Sequence, residues 1–138
     1  MKQLNIFIVI ILFFLNTIRG NTSNSSVRIL YDLNNNWQAK FYYTINEIPD
    51  NWYQVNFNSS NWEYVNVPHN FDQYYGYIRL KHGNLHGYAL YRRSFFINKK
   101  LSNKRYFLFF EGVGSYAHVW INGIYAGFHA GGRTTFTI

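Results

Sequence analysis

The chain has 138 residues, enough for one ordinary domain. Its 13 lysines and arginines outnumber its six acids and give a formal net charge of +7, but they are scattered, which argues against a nucleic-acid-binding patch. There is no cysteine, which excludes disulfides and thiolate zinc sites, and the five histidines show no metal-ligand spacing. We therefore expect no metal, no other cofactor and no nucleic-acid partner.

The first residues are typical of a secretory signal peptide. Lys2 precedes the apolar run Ile6–Leu15, which at about 1.5 Å per residue is too short to cross a hydrocarbon core of roughly 30 Å as a helix. Gly20 supplies a small residue before a cleavage point. We predict a signal peptide at residues 1–20, a polar tether at 21–27, and an exported chain, periplasmic or extracellular, without membrane association after cleavage. An uncleaved membrane anchor is the alternative.

The rest of the chain has the pattern of many short strands. Aromatic and β-branched residues form short runs between Asn, Asp, Ser and Gly clusters, and no helical period extends over a useful length. The fold class predicted for residues 28–138 is therefore all-β, an antiparallel β-sandwich. Strands are predicted at Val27–Leu33, Trp37–Ile45, Trp62–Pro68, Tyr88–Ile97, Lys104–Val113, Ala117–Ile121 and Ile124–Phe128.

Some of these elements carry more specific expectations. Alternation from Trp62 to Pro68 predicts Trp62 and Tyr64 on one face of a strand. The nearly continuous apolar character of Lys104–Val113 predicts a central strand. Asn122-Gly123 predicts a type I′ hairpin, because both central positions need positive φ. The glycines that follow, Gly131-Gly132 among them, either turn corners or allow a close approach of two backbones.

The acidic residues do not form a convincing catalytic pair. Glycoside hydrolysis usually needs two carboxylates that face each other across the bond. Glu111 follows an apolar strand and is expected to mark its end, and no nucleophile elbow or phosphate-binding loop is present. We expect no catalysis by this chain alone. The mature chain's acids are Asp32, Glu47, Asp50, Glu63, Asp72 and Glu111.

The segment 69–87 is the candidate binding region. It is too irregular for a strand or a helix, and loops of this size in compact domains are usually functional. Its tyrosines could stack on the apolar face of a sugar, and its polar side chains could bond the hydroxyls. Tyrosines that only cap the sandwich are the alternative. The candidate sugar-binding residues, from this segment and the start of the next strand, are Asp72, Tyr75, Asn84, His86 and Tyr88.

Taken in order, four stretches resemble the amino-terminal sugar-binding domain of family 2 glycoside hydrolases, the β-galactosidase, β-glucuronidase and β-mannosidase type. The resemblance extends from about Asn36 to Ile138. The family often has Asp-Trp where this chain has Asn70-Phe71, and Trp where it has Leu90. The four stretches are "NNWQAKF", "SSNWEYVNVPHNF", "GYALYRRSFFI" and "RYFLFFEGVGSYAHVWINGIYAGFHAGGRTTFTI".

The resemblance implies a galactose-binding-domain-like jelly-roll β-sandwich, incomplete at its C-terminus, with carbohydrate as its partner. In some members an asparagine before the Tyr-Arg-Arg strand reaches the active site, and Asn84 or His86 lies near that place. The family continues with an immunoglobulin-like sandwich and a TIM barrel that carries both catalytic glutamates. This chain would then be a fragment of an exported glycosidase of β-linked glycans, with the missing C-terminal domains as partners. A stand-alone or vestigial carbohydrate-binding module is the alternative, and a protein-binding adhesion module is a third hypothesis.

Overall fold

The fold is all-β, as predicted. The computed structural model describes residues 2–11 (backbone only), 30–71, 86–97, 105–132 and 134–138. None of these segments forms a helix of the length and apolar character needed to span a bilayer. The elements are β1 (Lys2–Ile11), β2 (Trp37–Tyr42), a 3-10 helix (Ile45–Glu47), β3 (Glu63–Val65), β4 (Tyr88–Ile97), β5 (Phe109–Phe110), β6 (Tyr116–Ile121), β7 (Ile124–Ala130) and β8 (Phe136–Thr137).

The strands form two antiparallel sheets. Six of them lie in the order β3-β2-β4-β1-β6-β7, and β5 pairs with β8 in a small second sheet. β1, which comes from the segment predicted as a signal peptide, lies between β4 and β6 and is antiparallel to both. Cleavage after Gly20 and export stay predictions, because the structure does not bear on processing.

One face of the large sheet packs against the small sheet. We call this contact the inner cluster; its buried members include Ala39, Tyr91 and Val119. Phe110 and Phe136, paired in the small sheet, stack with ring centroids 4.5 Å apart and pack against it. Burial of such side chains is worth roughly 1.5–3 kcal/mol each. The two sheets are therefore held together by a common apolar core.

The opposite face of β2 and β4 is covered by the irregular segment 43–62. Trp52 and Trp62 from this segment pack with Tyr42 and Leu90 in what we call the outer cluster. Arg92 of β4 holds this covering segment to the sheet by hydrogen bonds. Its guanidinium donates to the carbonyl oxygens of residues 57, 55 and 54, at 3.0, 3.4 and 3.5 Å. The buried cation thus supplies hydrogen bonds to the backbone of a segment that forms no strand.

Two predicted strands are largely absent from the described residues. Residues 30–33 of the predicted strand Val27–Leu33 are not in a strand, and 27–29 lie outside the described residues. Lys104–Val113 is not a central strand. Among the described residues 105–113 only Phe109–Phe110 forms a strand, and the neighbouring Leu108 exchanges two backbone hydrogen bonds with Ile138. Phe109 is exposed and Phe110 packs against the core, because the two-stranded sheet covers the core with one face only.

The predicted alternation around β3 is wrong. Trp62 is 4% exposed and packs in the outer cluster, whereas Tyr64 is 74% exposed. The reason is that β3 begins only at Glu63, so Trp62 belongs to the preceding turn and does not follow the two-residue strand period. The burial of Trp62 therefore follows from its packing within the covering segment 43–62 and not from the alternation of a strand.

The structure confirms the predicted hairpin turn and one predicted close approach of two backbones. Asn122 and Gly123 have φ of 53° and 82° between β6 and β7, as a type I′ turn requires. Gly132 is a close-approach position, because a Cβ there would lie 2.7 Å from the backbone nitrogen of Ser115. The hairpin thus depends on two residues with positive φ, and its return toward Ser115 depends on a glycine that lacks a Cβ.

We predict that Arg92→Met lowers the free energy of unfolding by about 1.5–3 kcal/mol, because three part-buried carbonyl oxygens lose a charged donor. Urea unfolding of the full chain measures the change. The matched control is Arg93→Met, since the buried Nη1 of Arg93 has no hydrogen-bond partner in the described part of the chain. Equal losses in the two variants would contradict the clamp role of Arg92.

Candidate functional site

The start of the candidate binding region, residues 69–71, contacts Tyr91 of the distant strand β4. His69 lies after the Val67-Pro68 bond, and its Nδ1 is 2.7 Å from the Tyr91 Oη on β4. The Phe71 ring stands edge-on to both, with centroids 4.6 Å from His69 and 5.8 Å from Tyr91. The irregular segment is therefore fixed at its start by contacts with the centre of the sheet.

Burial controls the protonation of this pair. It raises the pKa of Tyr91, with the Glu63 carboxylate acting in the same direction, so the hydroxyl keeps its proton. Burial lowers the pKa of His69, and Glu63 opposes this to a smaller extent. A neutral imidazole can accept a hydrogen bond at Nδ1 from the Tyr91 hydroxyl, which makes the pair a fixed structural contact at neutral pH.

Phe41 of β2 anchors both flanks of the segment 72–85. The Phe71 ring lies 5.7 Å from it on one side. On the other side Gly87 lies so close that an added Cβ would collide with the Phe41 ring and the Tyr42 carbonyl. We call this region, formed by Phe41, Phe71 and residues 86–88, the sheet end. Phe71 and Gly87, on the two sides of the segment 72–85, therefore lie at the same place on the sheet.

The predicted site residues are placed only in part. Asp72, Tyr75 and Asn84 lie outside the described residues. His86 is exposed at the sheet end, while Tyr88 is half-buried and packs on the outer cluster, opposite Tyr42 in the ladder. Their role in sugar binding stays a prediction.

The sheet end also presents a ring that the sequence did not single out. Tyr43 is 66% exposed and stands edge-on to Phe41, with centroids 5.2 Å apart. Its backbone N–H donates to Glu47 Oε2 at 3.0 Å, which holds the start of the covering segment. An exposed ring at the same end of the sheet as His86 supplies a surface for stacking and a group for hydrogen bonding.

A second exposed aromatic surface lies on the β6–β7 hairpin, and sequence reasoning missed it. We call it the aromatic face; it consists of Tyr116, His118, Tyr125 and Phe128. The His118 ring lies 4.8 Å from Phe128, and its Nδ1 is 3.2 Å from the Tyr125 hydroxyl. Tyr116, Tyr125 and Phe128 are each about half exposed. Such a surface can stack on flat apolar groups and carries three hydrogen-bonding side chains, two tyrosines and a histidine.

Trp120 joins the aromatic face to the outer cluster. Its ring is 5.2 Å from Tyr125 on one side and 4.9 Å from Trp52 on the other. The signal was present in the sequence: Tyr116, His118 and Trp120 alternate along β6 before the hairpin turn. Recognising it required the cross-strand register with β7, which pairs His118 with Phe128.

The described acids and histidines do not come together as a set of metal ligands. No group of three or more His, Asp or Glu side chains within the described ranges is arranged to hold a metal ion. Glu111 directly follows β5, as expected for a residue at a strand end. The arrangement is suited to contact and stacking.

Comparison with known proteins supplies the family. Residues 30–138 match the profile described as "Glycosyl hydrolases family 2, sugar binding domain". The chain is 34% identical over 113 residues to a beta-galactosidase of Thermoanaerobacterium thermosulfurigenes, covering 81% of this chain and 15% of that protein. It is 33% identical over 110 residues to a beta-glucuronidase of Formosa agariphila, covering 75% and 11%. No solved structure matches the chain significantly.

We predict that His69 makes the protein less stable as the pH falls through about 6.5, the ordinary pKa of an unfolded histidine. Burial lowers the pKa of His69 in the folded state. The unfolded chain therefore binds more protons than the folded chain in this range, and the free energy of unfolding decreases as the pH decreases. Urea midpoints measured from pH 7.5 to pH 5.5 should decrease less in His69→Gln than in the unaltered chain. The same pH slope in both proteins would contradict the prediction.

Proposed function

The chain belongs to the sugar-binding domain family of the family 2 glycosyl hydrolases, and from this premise we propose that it is the carbohydrate-contacting leading domain of an exported glycosidase of β-linked glycans. The observation that carries the proposal is the family match over residues 30–138. The chain spans only 9–15% of the length of the beta-galactosidases and beta-glucuronidases that it matches. Catalysis is therefore assigned to sequence outside these 138 residues.

In this proposal the sheet end contacts the sugar. Its support is geometric: both flanks of residues 72–85 contact Phe41, Tyr43 is exposed against the same ring, and His86 is exposed. Sugars offer an apolar ring face and hydroxyl groups, which suit an aromatic ring beside polar side chains. The proposed contacts are the residues predicted from sequence: Asp72, Tyr75, Asn84, His86 and Tyr88.

The second role in this proposal is structural. The sandwich would brace the catalytic barrel of the longer enzyme and form one wall of its sugar pocket, as the family resemblance implies. The alternative, a stand-alone or vestigial carbohydrate-binding module, differs in one observable. It requires no larger polypeptide, whereas the leading-domain proposal requires one.

We predict that Tyr75→Ala and His86→Ala each weaken binding of methyl β-galactoside or methyl β-glucuronide by about tenfold, which corresponds to about 1.4 kcal/mol. Because these side chains are proposed to contact the sugar directly, Tm should change little. Binding is measured by NMR titration of the full chain, and Tm by thermal unfolding.

The matched control is Tyr64→Ala, since Tyr64 is exposed on β3, at the sheet edge opposite to β7. It should leave affinity within about twofold. Parallel losses of Tm and affinity in Tyr75→Ala and His86→Ala would favour a capping role. Loss confined to Tyr116→Ala and Tyr125→Ala would place the sugar on the aromatic face instead.

We also predict that the 138-residue chain does not hydrolyse chromogenic β-galactosides or β-glucuronides above a mock-purified control. The reason is that the catalytic carboxylate pair is assigned to the barrel. Immunoblotting of the source organism should show a native protein several times larger than 16.5 kDa. Hydrolysis by the isolated chain, or a native band at its own size, would contradict the leading-domain proposal.

A further inference from the structure

The aromatic face lies on the same side of the large sheet as Tyr88. Trp120 of β6 packs against the outer cluster, and so does Tyr88 of β4. Tyr116 and His118 alternate with Trp120 along β6, so their side chains project to the same side as Trp120. The Phe128 ring of β7 joins them, with its centroid 6.1 Å from Tyr116 and 4.8 Å from His118. One side of the sheet therefore carries both a proposed sugar contact and the aromatic face.

Tyr88 and Tyr116 also lie at the same level along their strands. Ile10 of β1 is opposite Ala89 of β4 on one side and opposite Ala117 of β6 on the other. Both neighbours are antiparallel to β1, so they run in the same direction, and the residues before the two alanines are Tyr88 and Tyr116. Neighbouring strands lie about 4.7–4.9 Å apart, so the backbones of these tyrosines are roughly 9.5 Å apart. A single pyranose ring is narrower than this separation.

The aromatic face is open where it lies closer to the sheet end. The covering segment 43–62 contacts Trp120 through Trp52, with ring centroids 4.9 Å apart. Tyr116 and Phe128, which lie further along the hairpin toward the sheet end, are each about half exposed, and their ring planes are within 14° of parallel. Two nearly parallel rings thus present apolar surface to the solvent beside the proposed sugar contact.

The chemistry of the hairpin favours a neutral ligand that has both apolar surface and hydroxyl groups. Residues 116–130 contain no Lys, Arg, Asp or Glu, although the chain has a formal net charge of +7. A strongly charged partner would therefore find no counter-charge on the hairpin itself. His118 Nδ1 lies 3.2 Å from the Tyr125 hydroxyl, so hydrogen-bonding groups stand among the rings. A pyranose matches this surface, because it combines an apolar ring face with hydroxyl groups.

We propose that the aromatic face is a second sugar subsite, which binds later units of an oligosaccharide whose first unit is held at the sheet end. This inference rests on the proposed function and narrows its ligand to a chain of several β-linked sugars. Tyr116 and Phe128 stack on a sugar ring, and His118 and Tyr125 bond its hydroxyls. The rigid sheet fixes the distance between the two subsites, so affinity depends on the length of the glycan.

The first experiment compares ligands of different length on the full chain by NMR titration. Methyl β-galactoside and methyl β-glucuronide are each compared with a β-linked tetrasaccharide that ends in the same sugar. The tetrasaccharide should bind about tenfold more tightly, because it reaches both subsites. Ring signals of Tyr116 and Phe128 should shift with the tetrasaccharide and not with the methyl glycoside. Equal affinity for the two ligands would overturn the second subsite.

The second experiment removes the proposed stacking rings. Tyr116→Ala and Phe128→Ala should each weaken tetrasaccharide binding by about fivefold and leave methyl glycoside binding within about twofold. The matched control is Phe109→Ala, since Phe109 is also an exposed phenylalanine but lies on β5 of the small sheet. It should leave both affinities within about twofold. A loss in Phe109→Ala equal to that in Phe128→Ala would overturn the subsite.

Ring-retaining variants separate stacking from a loss of folding. Tyr116→Phe and Phe128→Tyr keep an aromatic ring at each position, so tetrasaccharide affinity should stay within about threefold even if the alanine variants lower Tm. Affinity that falls as far in these variants as in the alanine variants would contradict stacking.

His86→Ala distinguishes a failure of this inference from a failure of the proposed function. It should weaken binding of both ligands, because they share the sugar held at the sheet end. If it does so while Tyr116→Ala and Phe128→Ala change neither affinity, the second subsite is wrong and the proposed function stands. If the unaltered chain binds neither ligand, the proposed function fails and this inference fails with it. Equal loss of both ligands in the aromatic-face variants would make that face the primary site and overturn the order of subsites.

Discussion

The burial of β4 on both faces is the constraint on which the rest of the structure depends. Leu90 and Tyr91 are consecutive, so they project to opposite sides of the sheet, and both are almost completely enclosed. Leu90 packs with the tryptophans of the covering segment, and Tyr91 packs toward the small sheet. Because a shift of one residue would exchange these faces, the register of β4 is fixed from both sides.

The candidate surfaces take their positions from this strand. The Tyr91 hydroxyl meets His69, the Arg92 guanidinium holds the covering segment, and Tyr88 begins the strand at the sheet end. Trp120 extends the outer cluster to the aromatic face through Trp52. A contact surface on this domain is therefore carried on a rigid sheet, although much of its polar chemistry comes from irregular segments.

Two properties of the domain stand out: the kinds of side chain that its surface presents and the continuity of its large sheet. The described residues present aromatic rings, hydroxyls and imidazoles, which suit contact with a carbohydrate, and the family to which the chain belongs agrees with this use. The large sheet is continuous only because an apolar strand fills the place between β4 and β6. In our proposal the first property serves the sugar, and the second holds the two parts of the sheet together.

The sequence by itself determined the all-β class, the bounds of β4 and the Asn122-Gly123 hairpin, because strand period and turn stereochemistry are local properties. It also placed His86 and Tyr88 at the edge of an irregular segment. Only the tertiary structure decided that Trp62 is buried, that Phe109 is exposed and that residues 2–11 lie in the sheet. It also revealed the aromatic face. These outcomes depend on which surface covers a strand and which strand lies beside it, and neither is encoded in the spacing of neighbouring residues.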